Sequence, residues 1–290
     1  MADTFKIITD SASDVLPSFI KENDIGVVPF YVTIDGTNYL KDGIDITSQE
    51  FYRLQRDSKQ FFKTSLPSVQ DYLDEFGKYP DKDILCFCLT SKFSGSYQSA
   101  VNAAGMLMEE NPGRKIVVVD SRSASLGYGL KIMDAVKLRA KGFTPEDVVK
   151  SVMADEAHIC LTVDTLEYLQ RGGRIGKASA FAGGLLNIKP IIRLLDGELS
   201  PHSKVRGRKK ALAVCTQVIE QEMGGKPDEY TIGVLHSDCH PEADEYRKML
   251  AGKFGKAEHE VFLQELGLVI GVHIGPTLLA VACMKKNQDL

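Results

Sequence analysis

Short apolar runs alternate with helical patterns along the first half of the chain. The runs FKIIT (5–9), DILCFCL (83–89) and KIVVVD (115–120) are almost uniformly apolar, which is typical of parallel strands covered on both faces. Helical patterns follow these runs. A further helix, in TPEDVVKSVMADEA, has a clear start signal, because Thr144 stands at the cap position and Pro145 at the first helical position. The alternation predicts an α/β fold with a mostly parallel sheet and helices on both of its faces.

The pattern changes after about residue 156, where strand candidates occur in a more mixed order. The pair Asp196-Gly197 predicts a hairpin there. We therefore expect two closely packed α/β domains, 1–156 with the mostly parallel sheet and 157–290 with a mixed sheet and helices. The strand candidates are HICLTVD, PIIRLLDGELSPHS, YTIGVLH, HEVFLQEL and LLAVACMKK, and the helices between them are TLEYLQR, KASAFAGGLL, KKALAVCTQVIEQEM and PEADEYRKMLAGK.

Local signals predict the shorter elements of the first half. Asp35-Gly36, within PFYVTIDGTNYL, supplies the positive-φ pair that a tight hairpin turn needs. Thr47 and Glu50 form a capping-box pattern that opens a helix through about Arg56, and Ser68 can cap the helix VQDYLDEFGKY.

Charge and composition narrow the function classes. The chain has 290 residues and a net charge of −4, so it lacks the basic footprint that nucleic-acid binding requires. Its apolar runs are shorter than the roughly 20 residues of a membrane span. The start MADTFKIITD lacks the features of a signal peptide, and the six cysteines show no framework spacing. We expect a reduced, cytoplasmic protein.

Motifs of enzymes and metal sites are incomplete. GRIGKAS resembles a phosphate-binding loop, but Arg171 stands where that loop has its first glycine. The cluster HSDCH (236–240) contains four potential metal ligands. It lies where a strand turns into a helix, so consecutive side chains point in different directions. We predict no bound metal and no cofactor, and the role of HSDCH stays open.

Hydroxyl-rich turns follow the strands instead. There are four such turns, and their sequences are TDSASD (9–14), KTSLPS (63–68), TSKFSGSYQSA (90–100) and DSRSAS (120–125). Ligands of open α/β sheets bind at the carboxyl ends of strands, beside helix amino termini that attract anions. One such turn alone is explained by helix capping, but several together predict an anion site. Ser94-Gly95-Ser96 and, opposite them, Thr64 and Ser65 are the candidate donors.

Six motifs resemble the DegV family in their order and separations: TDSASD, TSLPS, TSKFSGSYQSA, DSRSAS, LEYLQRGGRIG and GVHIGP. The resemblance covers essentially the whole chain. It implies that two α/β domains enclose one long-chain fatty acid and that the protein is a carrier without catalytic residues. It further implies that the carboxylate is presented to a separate ATP-dependent fatty acid kinase subunit, whose acyl phosphate product enters phospholipid synthesis. A lipid-responsive regulator with another partner, and a small-molecule hydrolase, are the alternatives.

The resemblance also assigns residues. Thr64, Ser94 and His273 correspond to the carboxylate ligands, with Ser65 and Gly95 beside them. From the residues alone, His273 is equally a histidine satisfied inside a strand-turn segment, and it gains a charged role if it is protonated.

Two arginines carry a second assignment. Arg171 and Arg174 either complete a helix C-cap with Gly172 in the left-handed position, or meet the kinase or the acyl phosphate at the mouth of the site. The basic stretch KVRGRKK (204–210) is either a solvated helix start, a transient contact with an anionic membrane surface or a contact with an acidic partner.

Two further sets of residues complete the expectations. One departure from the family pattern is Thr277, which follows Pro276 where glycine is common. The acyl pocket is expected among residues such as Phe30, Phe93, Phe181 and Leu186, whose packing decides the preferred chain length.

Overall fold

The computed structural model describes residues 5–57, 61–181 and 187–290. The strands are β1 (Phe5–Asp10), β2 (Gly26–Val28), β3 (Tyr31–Thr33), β4 (Leu40–Lys41), β5 (Lys63–Ser65), β6 (Asp83–Cys88), β7 (Ile116–Asp120), β8 (Ala157–Thr162), β9 (Ile188–Leu195), β10 (Glu198–Arg206), β11 (Tyr230–His236), β12 (Val261–Glu265) and β13 (Leu279–Lys285). The helices are α1 (Pro17–Glu22), α2 (Ser48–Asp57), α3 (Val69–Gly77), α4 (Ser96–Glu110), α5 (Leu126–Ala140), α6 (Pro145–Val152), α7 (Glu167–Arg171), α8 (Arg208–Glu222), α9 (His240–Phe254) and α10 (Leu268–Ile274).

The first sheet has the order β2-β1-β6-β7, and all its pairings are parallel. Successive side chains of a strand point to opposite faces, and both faces are buried here. Ile8 and Ile84 pack with Tyr72 of α3 and residues of α4, whereas Ile7 and Leu85 join the core that contains α5. The uniformly apolar strands thus have helices on both sides, as predicted.

The second sheet has the order β10-β9-β8-β13-β11-β12. Its pairings are antiparallel except for β11 with β12, so the predicted mixed sheet is confirmed. Ile232 and Val234 face α8 and α9, while Leu235 and Ala280 belong to the same core as the first sheet. One face of each sheet therefore contributes to a shared core. The division into domains near residue 156 stays a prediction.

The small sheet β4-β3-β5 positions a candidate site residue. The predicted hairpin is present, with Val32 opposite Leu40, but only Gly36 of the turn pair has a positive φ. Asp35 instead accepts backbone N–H bonds from Thr37 and Asn38, which builds a longer turn. On its other edge β3 pairs with β5 and fixes Thr64.

Three predictions on the second half are wrong or only partly right. The segment around His273 is the helix α10, not a strand and turn, because a short apolar run does not distinguish a strand from a buried helix. Gly173 (φ 69°), not Gly172, is in the left-handed conformation after α7. The predicted helix KASAFAGGLL is a 3₁₀ segment at Gly176–Phe181, and its residues 182–186 lie outside the described residues.

In the described ranges, no helix combines the length and the hydropathy that a bilayer span requires.

Candidate ligand-binding site

A cavity of about 1060 Å³, including the space at its open mouth, lies in the shared core. The second sheet lines it with Leu161, Leu194 and Leu235, and Leu89, which directly follows β6 of the first sheet, also lines it. Leu66 is 40% exposed and also lines the cavity, so the mouth lies beside it. The lining is mainly apolar, and the polar lining residues are Thr64, Ser65, Ser94, Ser125, Arg174 and His273.

Thr64 and His273 form the first polar pair. Thr64 Oγ1 lies 2.7 Å from His273 Nε2, so β5 and α10 meet at this contact. Burial, and to a smaller extent the charge of Arg174, lowers the pKa of His273 to about 4. The imidazole is therefore neutral at pH 7, and it can donate from Nε2 while the threonine hydroxyl donates onward.

Ser94 belongs to the turn between β6 and α4. Its Oγ accepts the backbone N–H of Ser96 at 3.1 Å, which leaves the Ser94 hydroxyl proton for another acceptor. Gly95 is the N-cap of α4 and has no side chain to satisfy the helix. The N–H groups of the first turn lack acceptors within any helix. This turn therefore presents a hydroxyl group and a helix amino terminus.

The two arginines of RGGRIG have separate environments. Arg174 lines the cavity, with Nε bonded to Phe93 O at 3.1 Å and a terminal nitrogen to Gly172 O at 2.7 Å. Arg171 instead pairs with Glu167 at 2.7 Å and stacks 3.6 Å above the ring of Phe61. Only Arg174 is therefore placed to meet a ligand. The sequence leaves the same two alternatives, a helix C-cap or a contact with the kinase or the acyl phosphate, open for both arginines, and no spacing rule distinguishes them.

The expected acyl-pocket residues are only partly assembled. Phe30 and Phe93 line the cavity. Phe181 is not among the described lining residues and lies instead beneath the ammonium group of Lys204. Leu186 lies outside the described residues. The hydroxyl of Ser125 was not singled out from sequence; it lines the cavity and donates to Asp14.

The remaining hydroxyl-rich turns mainly hold backbone together. Ser11 Oγ accepts Phe30 N–H at 3.0 Å, and Ser121 Oγ donates to Ser123 O at 3.1 Å. TDSASD and DSRSAS therefore support the site rather than line it, except at Ala124 and Ser125.

The cluster HSDCH is also engaged in internal contacts. Asp238 forms an ion pair with Arg56, and Ser237 Oγ donates to Gly275 O at 2.7 Å. Within the described part of the chain, no group of three His, Cys, Asp or Glu side chains is arranged to hold a metal ion. These contacts join β11 to α2 and to the segment after α10.

An apolar cavity with hydroxyl, imidazole and guanidinium groups gathered along part of its wall suits an amphiphile with an anionic head group. These features define an α/β protein with a candidate ligand-binding cavity. The chain belongs to the DegV family: residues 4–286 match the family model described as "Uncharacterised protein, DegV family".

Relatives and solved structures agree with this membership. A DegV domain-containing protein of Caldanaerobacter subterraneus subsp. tengcongensis is 36% identical, over 97% of this chain and 98% of that protein. The stearic acid-binding protein from Eubacterium ventriosum has a TM-score of 0.91 at 33% identity, over 99% and 100% of the two chains. A DegV family protein from Thermus thermophilus, described by its fatty acid binding, has a TM-score of 0.87 at 31% identity, over 97% and 99%.

Proposed function

We propose that this protein binds one long-chain fatty acid, with the acyl chain in the cavity and the carboxylate at Thr64, Ser94 and His273. The observation that carries this proposal is the apolar cavity whose polar lining groups lie around these residues. Burying about fourteen methylenes at about 0.8 kcal/mol each favours binding by roughly 10 kcal/mol before ordering costs. The fatty-acid binding of the Eubacterium ventriosum and Thermus thermophilus proteins supports the same ligand class.

The head group requires donors. A carboxylate without partners costs several kcal/mol to bury, and each hydrogen bond to it returns about 1.5–3 kcal/mol, so two or three donors are needed. The hydroxyl of Ser94 and the pair Thr64–His273 supply this number. Ser65, which lines the cavity, and Gly95 at the start of α4 complete the proposed set.

Native mass spectrometry of the purified protein, followed by lipid extraction, tests the ligand. We expect one fatty acid per chain, or uptake of added oleic acid by empty protein. Thr64→Ala and Ser94→Ala should each weaken oleic acid binding about tenfold. Thr216→Ala is the matched control, because Thr216 is buried and bonds to Tyr246, which belongs to the other core of the second sheet. Full binding by both site variants would contradict the assignment.

A carrier without catalytic activity fits the site better than a hydrolase does. Thr64 and His273 resemble a nucleophile with its base, but a catalytic imidazole needs a third group that orients its other nitrogen. His273 Nδ1 is buried without a hydrogen-bond partner among the described residues. We therefore expect no turnover of a p-nitrophenyl palmitate substrate; turnover lost in Thr64→Ala would establish the hydrolase instead.

The further role that we propose is delivery in the cytoplasm. The bound carboxylate would be presented to a separate ATP-dependent fatty acid kinase subunit, and the acyl phosphate would enter phospholipid synthesis. The exposed position of Arg174 beside the cavity supports contact with a partner or with the phosphoryl group. Lys204, Arg206 and Lys209 are exposed and could contact an anionic membrane surface transiently.

Kinase coupling can be separated from binding. We expect loaded protein, ATP and a fatty acid kinase subunit to form acyl phosphate, which hydroxylamine traps. In the double variant Arg171→Ala, Arg174→Ala, the rate of acyl phosphate formation should fall by a larger factor than the affinity for the fatty acid. Unchanged coupling in this variant would remove both arginines from the partner contact.

A further inference from the structure

Asp10 ends β1 with a side chain that is completely buried next to the Ser94–Ser96 turn. Each of its carboxylate oxygens accepts one backbone N–H, Oδ1 from Ala12 at 3.3 Å and Oδ2 from Leu89 at 2.9 Å. Each also accepts one hydroxyl, Oδ1 from Tyr128 at 2.5 Å and Oδ2 from Ser96 at 2.9 Å. The backbone groups can only donate, so this set of partners matches a carboxylate acceptor.

The protons of the turn then have fixed directions. The Ser96 hydroxyl gives its proton to Asp10, so Tyr72 supplies the proton of the 2.6 Å bond between Tyr72 and Ser96. The backbone N–H of Ser96 points to Ser94 Oγ. Because Ser94 Oγ is an acceptor on this side, its own proton is free for an acceptor in the cavity that Ser94 lines.

We propose that Asp10 is a positioning residue for the anion site: through Ser96 it fixes the turn so that the Ser94 hydroxyl donates to the bound carboxylate. Asp10 itself touches no ligand, because it is fully buried and is not among the described residues that line the cavity. This inference rests on the proposed fatty acid binding and adds to it the residue that orients the donor.

The opposite effect is the competing possibility. A buried negative charge close to the ligand carboxylate would by itself repel it. If charge repulsion dominated, removing the charge of Asp10 would strengthen the binding of the acid. If positioning dominates, the same change weakens it, so the sign of the effect discriminates.

The substitution Asp10→Asn removes the charge at nearly constant shape. Each carboxylate oxygen accepts a backbone N–H. In either orientation of the asparagine amide, its NH₂ group therefore faces a backbone N–H, and two donors meet without an acceptor. Ser96→Ala is the milder variant, because it removes only the hydroxyl link between Asp10 and the turn. Ser121→Ala is the matched control, since Ser121 is also completely buried and, among the described residues, its hydroxyl bonds only to Ser123 and not to Asp10 or to the Ser94–Ser96 turn.

The experiment compares oleic acid with oleyl alcohol, which has the same chain and no charge. The quantity measured is the preference for the acid, the dissociation constant of the alcohol divided by that of the acid. We expect Asp10→Asn and Ser96→Ala each to lower this preference about tenfold, which is the loss of one hydrogen bond to a charged group. Ser121→Ala should keep it. The double variant Ser94→Ala, Ser96→Ala should be no lower than Ser94→Ala alone, because Ser96 acts through Ser94.

The outcomes separate the inference from the proposed function. Wild-type protein without a preference for the acid overturns the carboxylate site and the inference with it. A preference that is lost in Ser94→Ala but kept in Ser96→Ala and Asp10→Asn overturns the inference alone, as does a stronger preference in Asp10→Asn. Thermal unfolding of each variant checks the fold, and if Asp10→Asn does not fold, Ser96→Ala with the double variant decides.

Discussion

A methyl group added at Gly172 tests whether the position of His273 controls ligand binding. A Cβ at this residue would lie 2.3 Å from His273 Nδ1, far inside normal contact distance. Gly172 has φ −73° and ψ −12°, a conformation that alanine adopts without strain. The perturbation in Gly172→Ala is therefore the clash alone, and we expect it to push the imidazole away from Thr64.

The size of the effect follows from two contributions. Overpacking typically costs about 1–3 kcal/mol of folding free energy, and displacement of the imidazole relieves part of that cost. The displaced imidazole no longer donates to Thr64 Oγ1, so the Thr64 hydroxyl loses its orientation toward the ligand carboxylate, and the loss of that hydrogen bond is worth about 1.5–3 kcal/mol. We therefore expect Gly172→Ala to bind oleic acid about 10- to 100-fold more weakly than the wild-type protein, with a smaller effect on its thermal unfolding.

Competition with a fluorescent fatty acid measures this affinity. Gly105→Ala in α4 is the control, because a Cβ there meets nothing within 4 Å. It should bind normally and gain about 0.5–1 kcal/mol of stability from better helix propensity. If Gly172→Ala folds and binds oleic acid within about twofold of the wild-type protein, the position of His273 does not control binding.

Three further predictions concern titration and strain. Burial raises the pKa of Asp14 to about 7, so the stability contributed by its protonated form is fully present below about pH 4 and is lost as the pH rises through 7. Relative to the wild-type protein, Asp14→Asn should therefore gain about 2 kcal/mol of unfolding free energy between pH 5 and 7. If urea denaturation shows the same difference in unfolding free energy between the two proteins at both pH values, this prediction is wrong. Thr277 has φ 81°, so Thr277→Gly should raise the unfolding free energy by about 1 kcal/mol, whereas Thr277→Ala, which keeps a Cβ, should gain less in the same assay. Because the pKa of His273 is lowered to about 4, oleic acid affinity should vary less than about threefold from pH 6 to 8.5; a loss of about tenfold per pH unit would show that binding requires the imidazolium.

Much of the fold could be predicted because its signals are local. The capping boxes of Thr47 and Ser68 and the cap at Thr144 are present as the sequence indicates. The pair Asp196-Gly197 has positive φ at both residues and closes the hairpin of β9 and β10. Each of these features depends on neighbours within a few residues.

Features that depend on distant neighbours were not predictable. Helix α10 forms from a run that also fits a strand, because its buried faces are decided by packing against α2, α7 and β5. Arg174 lines the cavity while Arg171 stacks on Phe61, although the two stand three residues apart in one motif. Nothing in their spacing encodes which one faces the ligand.

In the hydroxyl-rich turns, composition alone predicts more ligand-binding hydroxyl groups than the structure provides. A hydroxyl binds a carboxylate only if its proton is not already given to the protein. Ser96 donates to Asp10 and Ser121 donates to Ser123 O, so neither proton is available. Ser94 Oγ is bonded as an acceptor, and Thr64 can accept from His273, so both retain a proton for a ligand. The direction of each hydroxyl proton therefore separates the hydroxyls that bind the ligand from those that support the fold. The sequence does not show this direction, because a few buried partners, above all Asp10, determine it.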